Sequence, residues 1–356
     1  MLELSNAHLL TQSIGSLLDS PYFSKHTLDY ARALHKAAQR LLEQWGSVPR
    51  PLRERIVQAM WSTHKYIAGS TSNDIPFEME HCLARAIKHW KPRDSFLIST
   101  ALLHEKEFAF VHCDPWEFIL PVLRGVEAPK HTLIQISLPK LYKHSPLLCV
   151  PLFHELGHFI DTRDAITDYS FRLSQTFLTE SRDLVAHDPK RATVWELNHR
   201  RELFADLFCA SYMGMAGVRF LHEFAMGNPA CASHPSTALR KKTMCDFLRG
   251  ASSPLIELFT EVLRARGLPQ LEKRFADIPL RECFADYRPA PVNDERQLFG
   301  IFTRAWSLLS ASSKHGCTLW PQRTIIDRVR IANDLTEKTI RNHSIWEKWR
   351  VVAPQG

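Results

Sequence analysis

Apolar residues follow two periods along this chain, one helical and one strand-like. From Tyr22 to Trp45, leucines and alanines recur at helical spacing (Leu28, Ala31, Leu34, Ala38, Leu41), which predicts an amphipathic helix. The stretch from Gly46 to Pro51 carries two prolines and a glycine-serine pair and reads as a turn. Leu52–Ala68 and Phe77–Trp90 predict two more helices, joined by a polar loop that begins at Gly69. Residues 1–20 read as a loosely packed lead-in or a short helix. Ser95–Leu103 and Phe108–His112 have more β character, and Asp114-Pro115 reads as a turn. In His131–Leu138, Thr132, Ile134 and Ile136 alternate against Leu133, Gln135 and Ser137, which predicts a strand.

Beyond residue 144 the helical period dominates. Ser145-Pro146 can open a helix, with Pro151 as a kink or as the true start, and in either case His154–Ile160 is helical. Thr162–Asn198 is an insert with a polar, partly helical stretch (Tyr169–Leu184) and a turn at His187–Lys190, placed to narrow or cover a cleft. Trp195–Gly214 predicts a helix, residues 228–235 a loop and Ser236–Arg249 a helix. Met213, Met215 and Phe220 read as core. Leu255–Arg266, Leu271–Ala276 and Glu295–Ser310 predict helices between proline-rich loops. Gly316–Pro321 reads as a turn and Gln322–Trp349 as a long charged helix. The expected class is α+β, predominantly helical, in three regions: a helical one over 1–94, a core with a small sheet over 95–250, and a second helical one over 251–356.

Composition adds constraints. With 356 residues, 45% hydrophobic and 23% charged, the chain has the make-up of a globular protein with a large core. No uncharged apolar run reaches the roughly 18 residues a membrane span needs, and the first 20 residues lack the basic start and apolar stretch of a signal peptide. The eight cysteines are scattered with no C-x-x-C, so reduced, buried thiols in a cytoplasmic protein are the expectation. The net charge of +7 permits contact with nucleic acid without requiring it. The tightest basic groups, Arg200-Arg201 and Arg240-Lys241-Lys242, read as solvated surface.

The chemistry concentrates in Pro151–Asp161, PLFHELGHFID. His154 and His158 are one helical turn apart, so two imidazoles can reach one metal ion. Glu155 lies beside them, in reach of a metal-bound water as its base. Zinc suits two neutral imidazoles and a carboxylate. Downstream, Glu202-Leu203-Phe204-Ala205-Asp206 is an E-x-x-A-D segment on a second apolar-periodic helix. Glu202 can supply the third ligand, and Asp206, one turn on, can accept the free N–H of a ligating histidine. His199, one turn before Glu202, is set aside as a ligand because Glu202 fits the pattern. Gly157 weakens its helix and points to close approach by another backbone.

H-E-x-x-H followed by E-x-x-A-D resembles the gluzincin metallopeptidases, in particular the HtpX/OMA-like families. Ser233-His234-Pro235-Ser236 with Arg240 is similar to a third segment of those families. The ImmA/IrrE-like peptidases share the first two elements with a shorter spacer. The resemblance covers about Ser145–Met244 and leaves the flanks unrecognised. It implies a zincin-like core, zinc as the cofactor and a protein or peptide substrate. It also implies that His234 helps to hold substrate or the tetrahedral oxyanion, and that the strand before the zinc helix is an edge that receives an extended substrate. Arg240 could pair with a carboxylate such as Asp206 or with the neighbouring loop. The HtpX-type families are membrane-embedded, and the absence of an apolar span here is a departure from them. A non-catalytic or latent zinc-binding scaffold, including one associated with nucleic acid, is the alternative reading of the same residues.

Overall fold

Helix α1 (Leu2–Ser16) buries Ala7, Leu10 and Ile14 along one stripe, so of the two readings of residues 1–20, a loose lead-in or a short helix, the structure has the helix. In the computed structural model, residues 2–21, 23–69, 77–103, 108–111, 114–311 and 319–352 are described. Helix α2 (Lys25–Glu43) starts at Ser24, whose side chain accepts the N–H of Thr27, and buries Tyr30, Ala31, Leu34, Ala38 and Leu41 as its spacing predicts. Helix α3 (Arg50–Gly69) and helix α4 (Phe77–Trp90) follow. The expected loop at 70–76 lies outside the described residues.

Strand β1 (Phe96–Leu103), strand β2 (Ala109–Val111), the short helix α5 (Trp116–Ile119) and strand β3 (Thr132–Pro139) complete the first half. The sheet order is β1-β3-β2, with β1 parallel and β2 antiparallel to β3. The strand expected at an edge is therefore the central one. β1 pairs with it along its length, and β2 covers Gln135–Ser137 on the other side. Residues 133–139 are all buried, including the polar Gln135 and Ser137. The Tyr66 hydroxyl lies 2.6 Å from Ser137 Oγ, and Ser99 Oγ donates to the Tyr66 carbonyl at 2.7 Å, so the α3 side of the sheet has its own polar partners.

In the second half, a single 3₁₀ turn (Pro146–Leu148) precedes helix α6 (Pro151–Asp164), so Pro151 is the true start, at the first turn where its missing N–H does no harm. Helices α7 (Ile166–Leu173) and α8 (Thr179–Val185) form the insert. Helix α9 (Pro189–Met213) begins six residues before the expected Trp195, with Asp188 as its cap and Pro189 at its first position. From Glu202 to Met213 every residue of α9 is buried, which makes it the central helix of this half. It ends at Gly214, where φ is +53° and an added Cβ would fall 2.4 Å from Thr303 Oγ1. Helices α10 (Met215–Phe224), α11 (Thr237–Arg249), α12 (Pro254–Ala265), α13 (Leu280–Ala285), α14 (Glu295–Ala311) and α15 (Ile325–Val352) follow.

Leu271–Ala276, expected as a helix, has no regular structure. Its backbone is taken up elsewhere: Arg274 N donates to Ser211 O and Ala276 N to Arg296 O, each at 2.8 Å. Met215 is exposed at the start of α10 instead of buried. The first half of the expected turn at Gly316–Pro321, residues 316–318, lies outside the described residues.

The fold is thus α+β, predominantly helical, with one small sheet. Met1–Glu80 with Arg93–Lys143 form one compact unit, and His81–Pro92 with His144–Gly356 the other. This two-part grouping differs from the expected regions 1–94, 95–250 and 251–356. The sheet shares a core with α1–α3 and α5 (Leu10, Tyr30, Ile56, Met60, Trp116, Leu133), and the C-terminal helices belong with α6 and α9. Among the described residues, no helix is long and apolar enough to cross a membrane. Of the described cysteines, Cys82, Cys149 and Cys209 are buried as expected, whereas Cys231 is exposed; all six are free thiols.

Candidate metal centre

Helix α6 buries Leu152, Phe153, Leu156 and Ile160 and turns His154 and His158 towards α9. Close packing there depends on Gly157: a Cβ on this residue would lie 2.8 Å from the Cα of Ala205 and 3.0 Å from the Cβ of Phe208. The close approach expected at this glycine is present, and the backbone it meets is that of the E-x-x-A-D helix.

The two helices bring the predicted ligands together. His154 Nε2 lies 3.3 Å from Glu202 Oε2, and His158 Nε2 lies 3.3 Å from Glu202 Oε1. The imidazole rings stand at 88° with centroids 4.5 Å apart. The donor atoms of His154, His158 and Glu202 all lie within 4.8 Å of one another. A tetrahedral ion with ligand distances near 2.1 Å separates its ligands by about 3.4 Å, so the spacing fits zinc. Glu202 Oε2 is buried without a hydrogen-bond partner, and a cation would satisfy it.

Asp206 and Arg240 stand behind the ligands. His154 Nδ1 donates to Asp206 Oδ1 at 3.0 Å, which fixes the tautomer and frees Nε2. Arg240 grips Asp206 with Nε on Oδ2 and Nη2 on Oδ1, both at 2.7 Å, and its Nη2 is also 3.4 Å from Glu202 Oε2. Burial opposes a charged His154, yet the Asp206 and Glu202 carboxylates beside its two ring nitrogens outweigh it and push its pKa up to about 10. Burial would likewise raise Glu202 and Asp206, but His154 and Arg240 hold both carboxyls below their usual range. The two buried carboxylates thus bracket His154, Asp206 at Nδ1 and Glu202 at Nε2, and at Nε2 a proton and a divalent ion compete. A mostly apolar cavity of about 140 Å³ adjoins His154, Asp206 and Arg240 and reaches Cys209, Phe220 and Met244.

The remaining predicted residues sit at the edge. Glu155 is half-buried on α6, next to His154 in the chain. His234 is half-exposed, with Nε2 3.6 Å from Glu202 Oε1 and Nδ1 2.8 Å from Ser233 Oγ. Sequence reasoning missed the clamp that holds its loop. His199 Nε2 donates to Cys231 O at 2.7 Å, and Asn198 Nδ2 donates to Ala232 O at 3.0 Å. Glu180 of the insert accepts the N–H of Ser236 at 2.9 Å and the Ser236 hydroxyl. His199 is thus a buried support one turn before Glu202.

The insert is itself pinned to α9. Arg200, expected at the surface, is fully buried: Nε pairs with Glu196 Oε1 at 2.6 Å and Nη2 donates to Thr176 O at 2.7 Å, while Leu178 N donates to Glu196 Oε2. Arg240 also departs from the solvated-surface expectation, whereas Arg201 and Lys242 conform to it. Comparison of the chain with protein-family models, curated proteins and solved structures finds no match.

Proposed function

We propose that the protein is a zinc-dependent metallopeptidase of gluzincin type, with a zincin-like core built on α6 and α9. One arrangement carries the reading: a single Glu202 carboxylate faces the Nε2 atoms of both His154 and His158, and Asp206 fixes the first of them from behind. His154, His158 and Glu202 would hold the ion, leaving a fourth position open. When bound, zinc polarises a carbonyl and brings the ionisation of water near neutral pH.

The chain's own groups supply the rest. Glu155 is the general base that takes a proton from the attacking water and returns it to the leaving amine. His234, with Nδ1 occupied by Ser233, offers Nε2–H to the developing oxyanion. Arg240 and Asp206 keep His154 in the ligating tautomer. The substrate is a protein or peptide. A reducing, cytoplasmic setting is part of the proposal and is supported by the free cysteines.

The test is metal-dependent cleavage of a proteome-derived peptide library, read by mass spectrometry. Cleavage that is lost on chelation, returns with zinc and is missing from the His154→Ala variant supports the reading. Cleavage indifferent to chelation refutes it. A zinc-loaded wild type that leaves the whole library intact favours the scaffold alternative.

A further inference from the structure

Three residues of the same ligand types lie together away from the first centre. His81 lies on α4, and His343 and Glu347 lie one turn apart on α15, so the latter pair shares one helical face. We propose that His81, His343 and Glu347 form a second site for a zinc-like divalent ion, structural in role, that clips α15 to α4.

His81 Nε2 lies 3.5 Å and His343 Nδ1 lies 3.9 Å from the same oxygen, Glu347 Oε2. One donor atom from each residue falls within 4.8 Å of the others. Both separations are too long for hydrogen bonds and within a few tenths of an ångström of the ~3.4 Å that a tetrahedral ion imposes on its ligands. The His81 and His343 rings stand 5.7 Å apart at 61°, so neither blocks the space between their nitrogens and the carboxylate.

Unpaired nitrogens are the second, independent observation. His81 Nε2 and His343 Nδ1 are both buried with no hydrogen-bond partner, and His343 is only 4% exposed. Leaving a buried polar atom unpaired is costly. Two such atoms aimed at one carboxylate are therefore anomalous in a cluster that serves packing alone, and one cation satisfies both.

The surroundings suit a structural role. Arg85, one turn after His81 on α4, pairs with Glu347 Oε2 and orients the carboxylate. Lys348 lies near His81 and Asp294 near His343, so the nearby charge is mixed rather than strongly acidic. No acid follows either histidine in an H-E-x-x-H pattern, so the site lacks the general base of the first centre. Its effect is mechanical: closing it ties the 28-residue α15 to α4.

The experiment is zinc stoichiometry and thermal stability of the full chain, stripped with chelator and dialysed into micromolar free zinc. Wild type should hold about two zinc ions per chain, with His154→Ala and Glu347→Gln each keeping about one and the double variant none. The His154→Ala chain reads the second site alone, and zinc should raise its melting temperature; adding Glu347→Gln should remove that rise. Circular dichroism identifies misfolded chains, and His158→Ala replaces His154→Ala if the latter fails to fold. A folded His154→Ala or His158→Ala chain that binds no zinc overturns the proposal. Glu347→Gln reads the first site alone, so loss of zinc there would count against the catalytic reading and not this one.

Discussion

Gly157 of α6 meets Ala205 of α9 backbone to backbone: a Cβ on the glycine would sit 2.8 Å from the Cα of the alanine. This contact lies one residue from His158 and three from Glu202, so it sets the spacing between ligands on the two helices. Gly157→Ala must push the helices apart, at a cost of about 1–3 kcal/mol for overpacking a tight core. The expected outcome is a lower melting temperature together with weaker zinc binding, measured by competition with a chromophoric chelator. An unchanged affinity would show that the helix spacing tolerates the methyl group.

Asp206 is buried between His154 and Arg240, and each neighbour gives a separate prediction. Asp206→Asn should weaken zinc binding about 10–100-fold, the usual effect of losing such a support. Arg240→Ala leaves Asp206 as an uncompensated buried charge and should destabilise the fold by about 3–5 kcal/mol. Lysine cannot reproduce the two-pronged grip, so Arg240→Lys should restore only part of the loss in chemical unfolding.

His234 touches the site from a clamped loop, without a place among the ligands. His234→Ala should leave zinc content and KM near wild type and lower kcat, by about 10²–10³ if it is a full oxyanion donor. His199→Ala removes a bond to Cys231 O that orients the same loop and should lower kcat less. Equal kcat in His234→Ala and wild type would remove the residue from the mechanism.

Asp161, one turn beyond His158 on α6, supplies a pH test of stability. Burial raises its pKa from 3.8 to about 6, even though it accepts the N–H of Thr167. The folded pKa is above the unfolded one, so the folded chain binds the proton more tightly. The resulting stabilisation is full below about pH 4 and is lost as pH rises to about 6, a change of about 3 kcal/mol. Asp161→Asn keeps the acceptor oxygen and removes the ionisation. Its melting temperature should match wild type near pH 4 and exceed it near pH 7.5.

The helices with one apolar stripe were legible because their buried faces follow the 3.6-residue period, as Leu34, Ala38 and Leu41 do in α2. The pairing of His154 with His158 and of Glu202 with Asp206 was legible for a related reason, since i,i+4 spacing places each pair on one face of its helix. What failed depended on distant partners. The strand holding Gln135 and Ser137 read as an edge, but it is central, with β1 and β2 on its two sides and both polar residues buried. Leu271 and Phe275 have helical spacing, but Ser211 and Arg296 take the backbone bonds of their segment. Asp188-Pro189 read as a turn, although a capping acid followed by proline also marks a helix start. Arg200 looked solvated because nothing local reveals the carbonyl of Thr176 waiting for it.

Glu155→Gln, assayed with its metal in place, tests the central claim most directly. The substituted amide is nearly the same size as the native carboxylate and cannot take a proton. The variant should therefore bind zinc like wild type and fail to cleave peptides that wild type cleaves. Cleavage by the zinc-loaded variant at the wild-type rate would contradict the account.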